Sequence, residues 1–278
     1  MIQNSYDGKA TLYLISTPIG NLDDITYRSV KVLEDVEVIF SEDTRVTLNL
    51  LNHLNIKKKL IALHEHNEDM VKEKVLDYLK NGFSVALVTD RGTPIISDPG
   101  YKTTEYIIKN NYNVVALPGA TAFVPALITS GIAPQPFMFY GFLNSNDSKR
   151  RKELEQLSDI SCTIIFYEAP HRIIKMLNIL LEVFGDRNIS ISREITKKFE
   201  TIYRGKISNV INEIPDKGEF VIVVQGNNNG SVDESLSIVD AVNLYIKAGL
   251  SVMDSIKRVA KERNIPKSEV YDSYHKGE

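Results

Sequence analysis

The sequence predicts an α/β protein of two domains, a mostly parallel N-terminal sheet followed by a mixed C-terminal sheet, with a small helical tail. Three observations carry this. Short β-branched runs alternate with longer amphipathic runs through the first half. The strand-like runs there are almost continuously apolar, as strands covered on both faces are. In the second half, strand-like runs follow one another closely, which points to neighbouring antiparallel strands.

The elements follow in order. "TLYLIST" (11–17) reads as a strand, and 25–36 carries apolar residues at helical spacing. "VEVIFS" (36–41) is a strand, 44–55 a helix, "KLIALH" (59–64) a strand, and 67–82 a helix that Gly82 ends. "FSVALVT" (83–89) is the fourth strand, a helix runs from about Tyr101 to Asn110, and "NVVALPG" (113–119) closes the series. Beyond it, "QPFMFYGFL" (135–143) and "SCTIIFYEA" (161–169) are strand-like, and a helix occupies 171–185. "NISISRE" (188–194), "ETIYRG" (200–205) and "EFVIVVQG" (219–226) are strands with one short helix, 208–214, among them. The natural boundary lies within 117–135, giving domains over 1–122 and 123–228 and a linker and tail over 229–278. The polar, turn-rich stretch 226–235 reads as the linker. Three short helices follow, the last two started by Ser251 and Pro266.

Composition bounds the function. The chain has 278 residues, 43% hydrophobic and 25% charged, which is ordinary for a globular protein. A net charge of -3 means that nucleic acid, if bound, is met by local patches. The single Cys162 excludes an internal disulfide and reads as a small core residue; no Cys and His spacing suggests a metal. The N-terminus lacks the regions of a signal peptide and no apolar run reaches membrane-spanning length, so a cytoplasmic protein with no membrane partner is expected.

The strand ends hold the chemistry. "DRGTPIISDPG" (90–100) packs glycine, proline and aspartate into the loop after the fourth strand, where α/β proteins place ligands. Taken alone, such a loop is better read as a tight turn before a helix, with Asp98 as its cap. Three other strand ends carry the same kind of sequence, "STPIGNLDD" (16–24), "SEDTR" (41–45) and "LPGATA" (117–122), and a further one, "HEHNED" (64–69), is polar rather than glycine-rich. Together they imply a shared cleft that reads its ligand largely with backbone atoms. Neither a dinucleotide-binding nor a Walker-type glycine motif occurs.

The series "TPIGNLDDIT", "SEDTR", "HEHN", "DRGTPIISDPG" and "FYEAPHR" resembles the tetrapyrrole methylase superfamily over residues 10–226, and the tail fits a helical extension within it. The resemblance implies a class III methyltransferase fold, with S-adenosyl-L-methionine folded between the two domains. It further implies the branch that methylates the ribose 2′-hydroxyl of a cytidine in the decoding centre of 16S rRNA, within the assembled small ribosomal subunit, as a homodimer and without a metal. Two departures stand out. Arg91 replaces the usual alanine, putting a cation inside the cofactor loop, and "PGATA" (118–122) replaces "PGPSA", with Thr121 keeping a hydroxyl.

By the same resemblance, Pro18, Gly20, Asp90, Gly92, Thr93, Ser97, Ala120 and Thr121 surround the cofactor from the first domain, and Tyr167 and Pro170 from the second. Methyl transfer to a hydroxyl needs orientation and a proton acceptor. Glu42, Asp43, His66 and Glu168 are candidate acceptors, and Arg45, His171 and Arg172 candidate partners for a phosphate or the hydroxyl oxygen. Each also has a purely structural reading. Glu42 and Asp43 suit a helix cap, His171 and Arg172 a solvated helix start, Pro170 a helix start, and Glu194 with Lys197 a surface pair.

For RNA, "SNDSKRRKE" (145–153) offers Lys149, Arg150, Arg151 and Lys152 as a basic patch, or equally a charged helix start. The rival functions are a superfamily methylase acting on a tetrapyrrole or other small molecule, and a non-catalytic RNA-binding module.

Overall fold

The computed structural model describes residues 2–5, 7–227, 236–247, 250–263 and 265–276. Its first sheet forms from β1 (Thr11–Ile15), β2 (Val38–Ser41), β3 (Lys59–Ala62), β4 (Val85–Val88) and β5 (Asn113–Leu117). The interleaved helices are α1 (Tyr27–Asp35), α2 (Thr44–His53), α3 (Glu68–Lys80) and α4 (Tyr101–Lys109). The strand order is β3-β2-β4-β1-β5, all parallel. Alternate residues of β4 go to opposite faces. Val85 and Leu87 join Leu12, Phe40, Leu76 and Ile107, whereas Ala86 and Val88 join Ile15, Leu33, Ile39 and Leu51. Both faces are therefore buried, as the continuous apolar runs require. Parallel order also sends every strand's carboxyl end, and its loop, to one side of the sheet.

The chain crosses to the second sheet through α5 (Phe123–Thr129). That sheet comprises β6 (Phe137–Phe142), β7 (Thr163–Glu168), β8 (Asn188–Arg193), β9 (Thr201–Lys206) and β10 (Phe220–Val224) in the order β6-β7-β10-β8-β9. Only β6 and β7 run parallel, so the sheet is mixed. Helices α6 (Asp147–Leu157), α7 (Ile173–Phe184) and α8 (Ile207–Val210) cover one face around Phe166, Leu177, Leu180 and Ile222. The other face carries Ile165, Val221 and Val223 onto Ala126 and Leu127 of α5 and onto Ile19, which comes from the loop after β1. That last cluster joins the two sheets beside the cleft.

Helix α5 escaped the sequence pattern, and α6 bears out the alternative of a charged helix start. Helix α5 is short and almost wholly apolar, with Pro125 in its first turn. Helix α6 is dominated by charge and is capped by Asn146, whose side chain accepts from the Lys149 amide. Arg150 corrects the basic-patch expectation. It is buried, and its Nε donates to the Asn144 carbonyl at 3.1 Å. Arg151 is paired with Glu182, which leaves Lys149 and Lys152 as the exposed cations of that turn. Cys162 is half-buried, outside the core.

The tail is α9 (Ile238–Lys247), α10 (Val252–Glu262) and α11 (Lys267–Lys276), packed around Val242, Tyr245, Ile256, Val259 and Val270. Ser251 caps α10 by accepting from the Asp254 amide. Of the expected linker, 228–235 lies outside the described residues. Among the described residues no helix is long and apolar enough to cross a membrane.

Gly100 ties the fold to its cleft. It precedes α4 at φ +120, and a Cβ there would lie 2.6 Å from Leu87 Cδ2. Gly100→Ala is expected to cost about 1–3 kcal/mol through backbone strain, read as a lower urea midpoint; an unchanged midpoint would contradict the account.

Candidate active site

The loops after β1, β4 and β5 are stitched into one surface. Thr17 and Gly92 exchange two backbone hydrogen bonds, of 2.9 and 3.0 Å. Thr17 Oγ1 donates to the Thr89 carbonyl at 3.1 Å. The Thr93 hydroxyl lies 3.0 Å from that of Ser16 and donates to the Ala120 carbonyl at 3.1 Å. Within the loop after β4, Ile95 and Ser97 adopt φ of +76 and +66. A β-branched residue in the left-handed region is a genuine outlier, held only where its surroundings over-determine it.

Between the two sheets this surface walls a cavity of about 390 Å³. The first lobe contributes Ile19, Arg91, Gly92, Thr93, Ile96, Ser97, Asp98, Thr121 and Ala122. The second contributes Phe142, Tyr167, Glu168, Ala169, Pro170, Ile195, Glu219, Phe220 and Val221. A second cavity, about 440 Å³, opens beside it and is lined by Pro18, Gly20, Leu22, Val46, Asn49, Asp90, Arg91 and Lys197, among others. Arg91 lines both.

The residues expected around the cofactor thus divide. Gly92, Thr93, Ser97, Thr121, Tyr167 and Pro170 line the inter-lobe cavity, with the Ala120 carbonyl behind Thr93. Pro18, Gly20 and Asp90 line the neighbouring cavity. No side chain fits at Gly20, because a Cβ there would sit 2.5 Å from Lys197 Cγ of the other lobe.

The candidate acid–base residues are more dispersed. Thr89 Oγ1 donates to Glu42 Oε2 at 2.9 Å, and the Asp43 amide donates to Asp90 Oδ1 at 2.9 Å. Asp43 caps α2 and pairs with exposed Arg45 at 2.6 Å. The Arg45 hydrogen bonds hold the Asp43 carboxyl down at about 2. The Glu168 carboxylate is fully enclosed, accepts from the Ala169 amide at 2.8 Å and pairs with Arg172 Nε at 2.8 Å. Arg172 also donates to the Leu143 carbonyl at 2.7 Å, so this pair braces the entrance to α7. His171 is exposed. His66 is exposed on the turn after β3, its ring 6.0 Å from that of His64. Asn67 holds that turn, accepting from the His64 amide at 2.8 Å and donating to the Ala62 carbonyl at 3.0 Å.

Asp98 is named from sequence only as a helix cap, on the purely structural reading of its loop, and it does not cap α4. Gly100 occupies the cap position of α4, and Asp98 lines the cavity instead. Burial, then the charge of Glu42, pushes its carboxyl up to about 7. Burial likewise raises Asp90, opposed by the Asp43 amide. The only sequence signal for Asp98 was its place in the loop; its environment also includes Glu42, from the end of β2. Glu219, at the start of β10, gave none. Among the described residues no cluster of His, Cys, Asp or Glu is arranged to hold a metal ion.

Comparison with known proteins narrows the reading. The model of the family described as Tetrapyrrole (Corrin/Porphyrin) Methylases matches residues 11–211. A relative from Bacillus subtilis (strain 168), named ribosomal RNA small subunit methyltransferase I, is 47% identical over 98% of both chains. One of the same name from Streptococcus pyogenes serotype M1 is 42% identical over 99% of both. Among solved structures, a uroporphyrin-III C-methyltransferase from Thermus thermophilus complexed with S-adenyl homocysteine superposes with a TM-score of 0.55 at 15% identity, covering 78% of this chain and 97% of that one. A diphthine synthase gives 0.61 at 10% identity, covering 78% and 90%. At such identities the structural likeness concerns the fold.

The Asp98 environment has a measurable signature. Its folded pKa stands above the ordinary 3.8, so the native state holds the proton more tightly than the unfolded chain. The resulting stabilisation is complete below pH 3.8 and is lost as pH rises to about 7. Asp98→Asn removes this slope. The melting temperature of the variant minus that of the wild type is expected to rise across this window and level off above it; a flat or falling difference would contradict the burial of the carboxyl.

Proposed function

The chain belongs to the tetrapyrrole (corrin/porphyrin) methylase family, and from that premise we propose that it methylates the 2′-hydroxyl of a cytidine ribose in the decoding centre of 16S rRNA, within the assembled small subunit, using S-adenosyl-L-methionine. The supporting observation is the match, over 98% of both chains, to a relative named for small-subunit ribosomal RNA methylation. That match takes in the tail, whereas the porphyrin methylase covers only 78% of this chain while matching 97% of its own. This disfavours the rival of a small-molecule methylase.

The inter-lobe cavity suits the cofactor. Its volume falls within the usual range of ligand pockets, and its walls combine apolar side chains with backbone-rich loops. Asp98, which among the described residues lacks the cationic partner that Glu168 has in Arg172, suits a cationic ligand. Gly92, Thr93, Ser97, Thr121, Tyr167 and Pro170 would hold the cofactor, which when bound supplies an activated methyl group on a sulfonium centre. Asp98 would ionise against that cation, so binding near neutral pH releases a proton. Ile19, Ile96, Phe220 and Val221 exclude water, which favours a step in which positive charge is dispersed.

The neighbouring cavity would take the acceptor ribose. Asp90 lines it, with a carboxyl raised towards the range in which a general base works well. Glu42 acts through the same cluster, its charge raising Asp90. Asp43 with Arg45, and Glu168 with Arg172, are positioning pairs. His66 and His171 lie outside both linings and are assigned to the surface that faces RNA. The homodimer implied by the family belongs to the same proposal.

The test is transfer of labelled methyl from S-adenosyl-L-methionine to small subunits from cells lacking this protein, with ribose methylation mapped afterwards. Incorporation at one cytidine 2′-oxygen is expected. Transfer only to free tetrapyrroles would favour the small-molecule rival, and RNA binding without cofactor affinity a binding module. Asp90→Asn is expected to lower kcat by about 10²–10⁴-fold with cofactor affinity largely kept; unchanged kcat would remove Asp90 from the mechanism.

A further inference from the structure

Arg91 stands on the rim shared by the two cavities, more than half exposed, and reaches across to Glu219 of the second lobe. The same carboxylate takes Lys197 Nζ on Oε2 at 2.9 Å. Lys197 also pairs with Glu194 Oε1 at 3.0 Å, and that oxygen accepts from the Glu219 amide at 2.9 Å. Two cations from two lobes therefore converge on one carboxylate at the mouth of the cavity that holds Asp90. An ion pair as exposed as that of Arg91 and Glu219 is held weakly and exchanges readily with another anion. A guanidinium fork with an ammonium beside it matches the oxygens of a phosphate at least as well as those of a carboxylate.

Resting on the RNA-methylating function above, we propose that Arg91, with Lys197 beside it, is the seat for a backbone phosphate of the acceptor strand, and that Glu219 fills this seat in the free protein. Binding of RNA replaces the Glu219 carboxylate by phosphate, which opens the rim between the cavities and places the ribose beside Asp90. Glu219 thus acts as a competitor that RNA must displace.

A purely structural strap between the lobes makes the opposite forecast, because removing either partner of a strap has the same effect. The experiment measures KM for small subunits lacking the modification, and the dependence of subunit binding on salt, for the wild type, Arg91→Ala, Arg91→Lys and Glu219→Gln. Cofactor calorimetry on each variant counts the folded, competent fraction. The phosphate seat requires opposite signs. Arg91→Ala should raise KM about tenfold and make the slope of log K against log salt shallower by about one. Arg91→Lys should recover part of the loss, and Glu219→Gln should lower KM. If Arg91→Ala and Glu219→Gln shift KM in the same direction, or the salt slope stays the same, the seat is overturned while the methyltransferase function stands. If the wild type binds cofactor yet transfers no methyl to subunits, the RNA function fails and the seat with it.

Discussion

The cleft depends on the paired backbone hydrogen bonds between Thr17 and Gly92. Strands β1 and β4 run parallel, and their loops would be free to diverge at the sheet's edge. The bridge instead sets them against one another in the antiparallel sense. That holds the loop after β4 down over the end of β5, where Thr93 can reach both Ser16 and the Ala120 carbonyl. Once anchored there, the loop carries Ile95 and Ser97 in left-handed conformations and keeps Asp98 facing inward. Ile19, next to Pro18 on the partner loop, is free to pack on Val221 and Val223 of the other lobe. One pair of main-chain contacts thus shapes the cavity and docks the two sheets.

The charges are distributed by depth. The acids Glu42, Asp90 and Asp98 are the inner groups; burial and the charge of Glu42 raise the carboxyls of Asp90 and Asp98. The bases Arg91 and Lys197 lie towards the rim, where Glu219 and Glu194 neutralise them. A cation is favoured within and an anion at the entrance, as a sulfonium donor and a polyanionic acceptor require. The chain as a whole carries a net charge of -3. Affinity for RNA then rests on local surfaces such as this rim, because the global field gives no attraction.

How much of this could be read from the sequence depended on the range of the interaction. The parallel sheet was legible because continuous apolar runs such as 85–88 have few other uses, and the mixed sheet because its strands came too close together for crossover helices. The carboxyl ends of β1, β4 and β5 came out one to two residues shorter than read, since their loops leave the sheet early to stitch together, whereas β2 ends at Ser41 as read. Helix α5 was hidden by its uniform apolarity, and the charge of α6 left a helix start and a basic patch equally open. Arg150 looked like surface, and only the carbonyls it caps explain its burial. In the site, the glycine- and proline-rich loops were plain, but Asp98 was not. Its raised pKa comes first from burial, which local sequence does not show, and then from Glu42, at the end of another strand. The pairing of Arg91 with Glu219, 128 positions apart, had no local trace.

The helical tail gathers its apolar side chains into a nucleus of its own, distinct from those beneath the two sheets. Cooperativity in unfolding follows shared burial, so a chain with separate nuclei melts in more than one step. Heat would then divide this molecule into a catalytic body and an appendage that come apart at different temperatures.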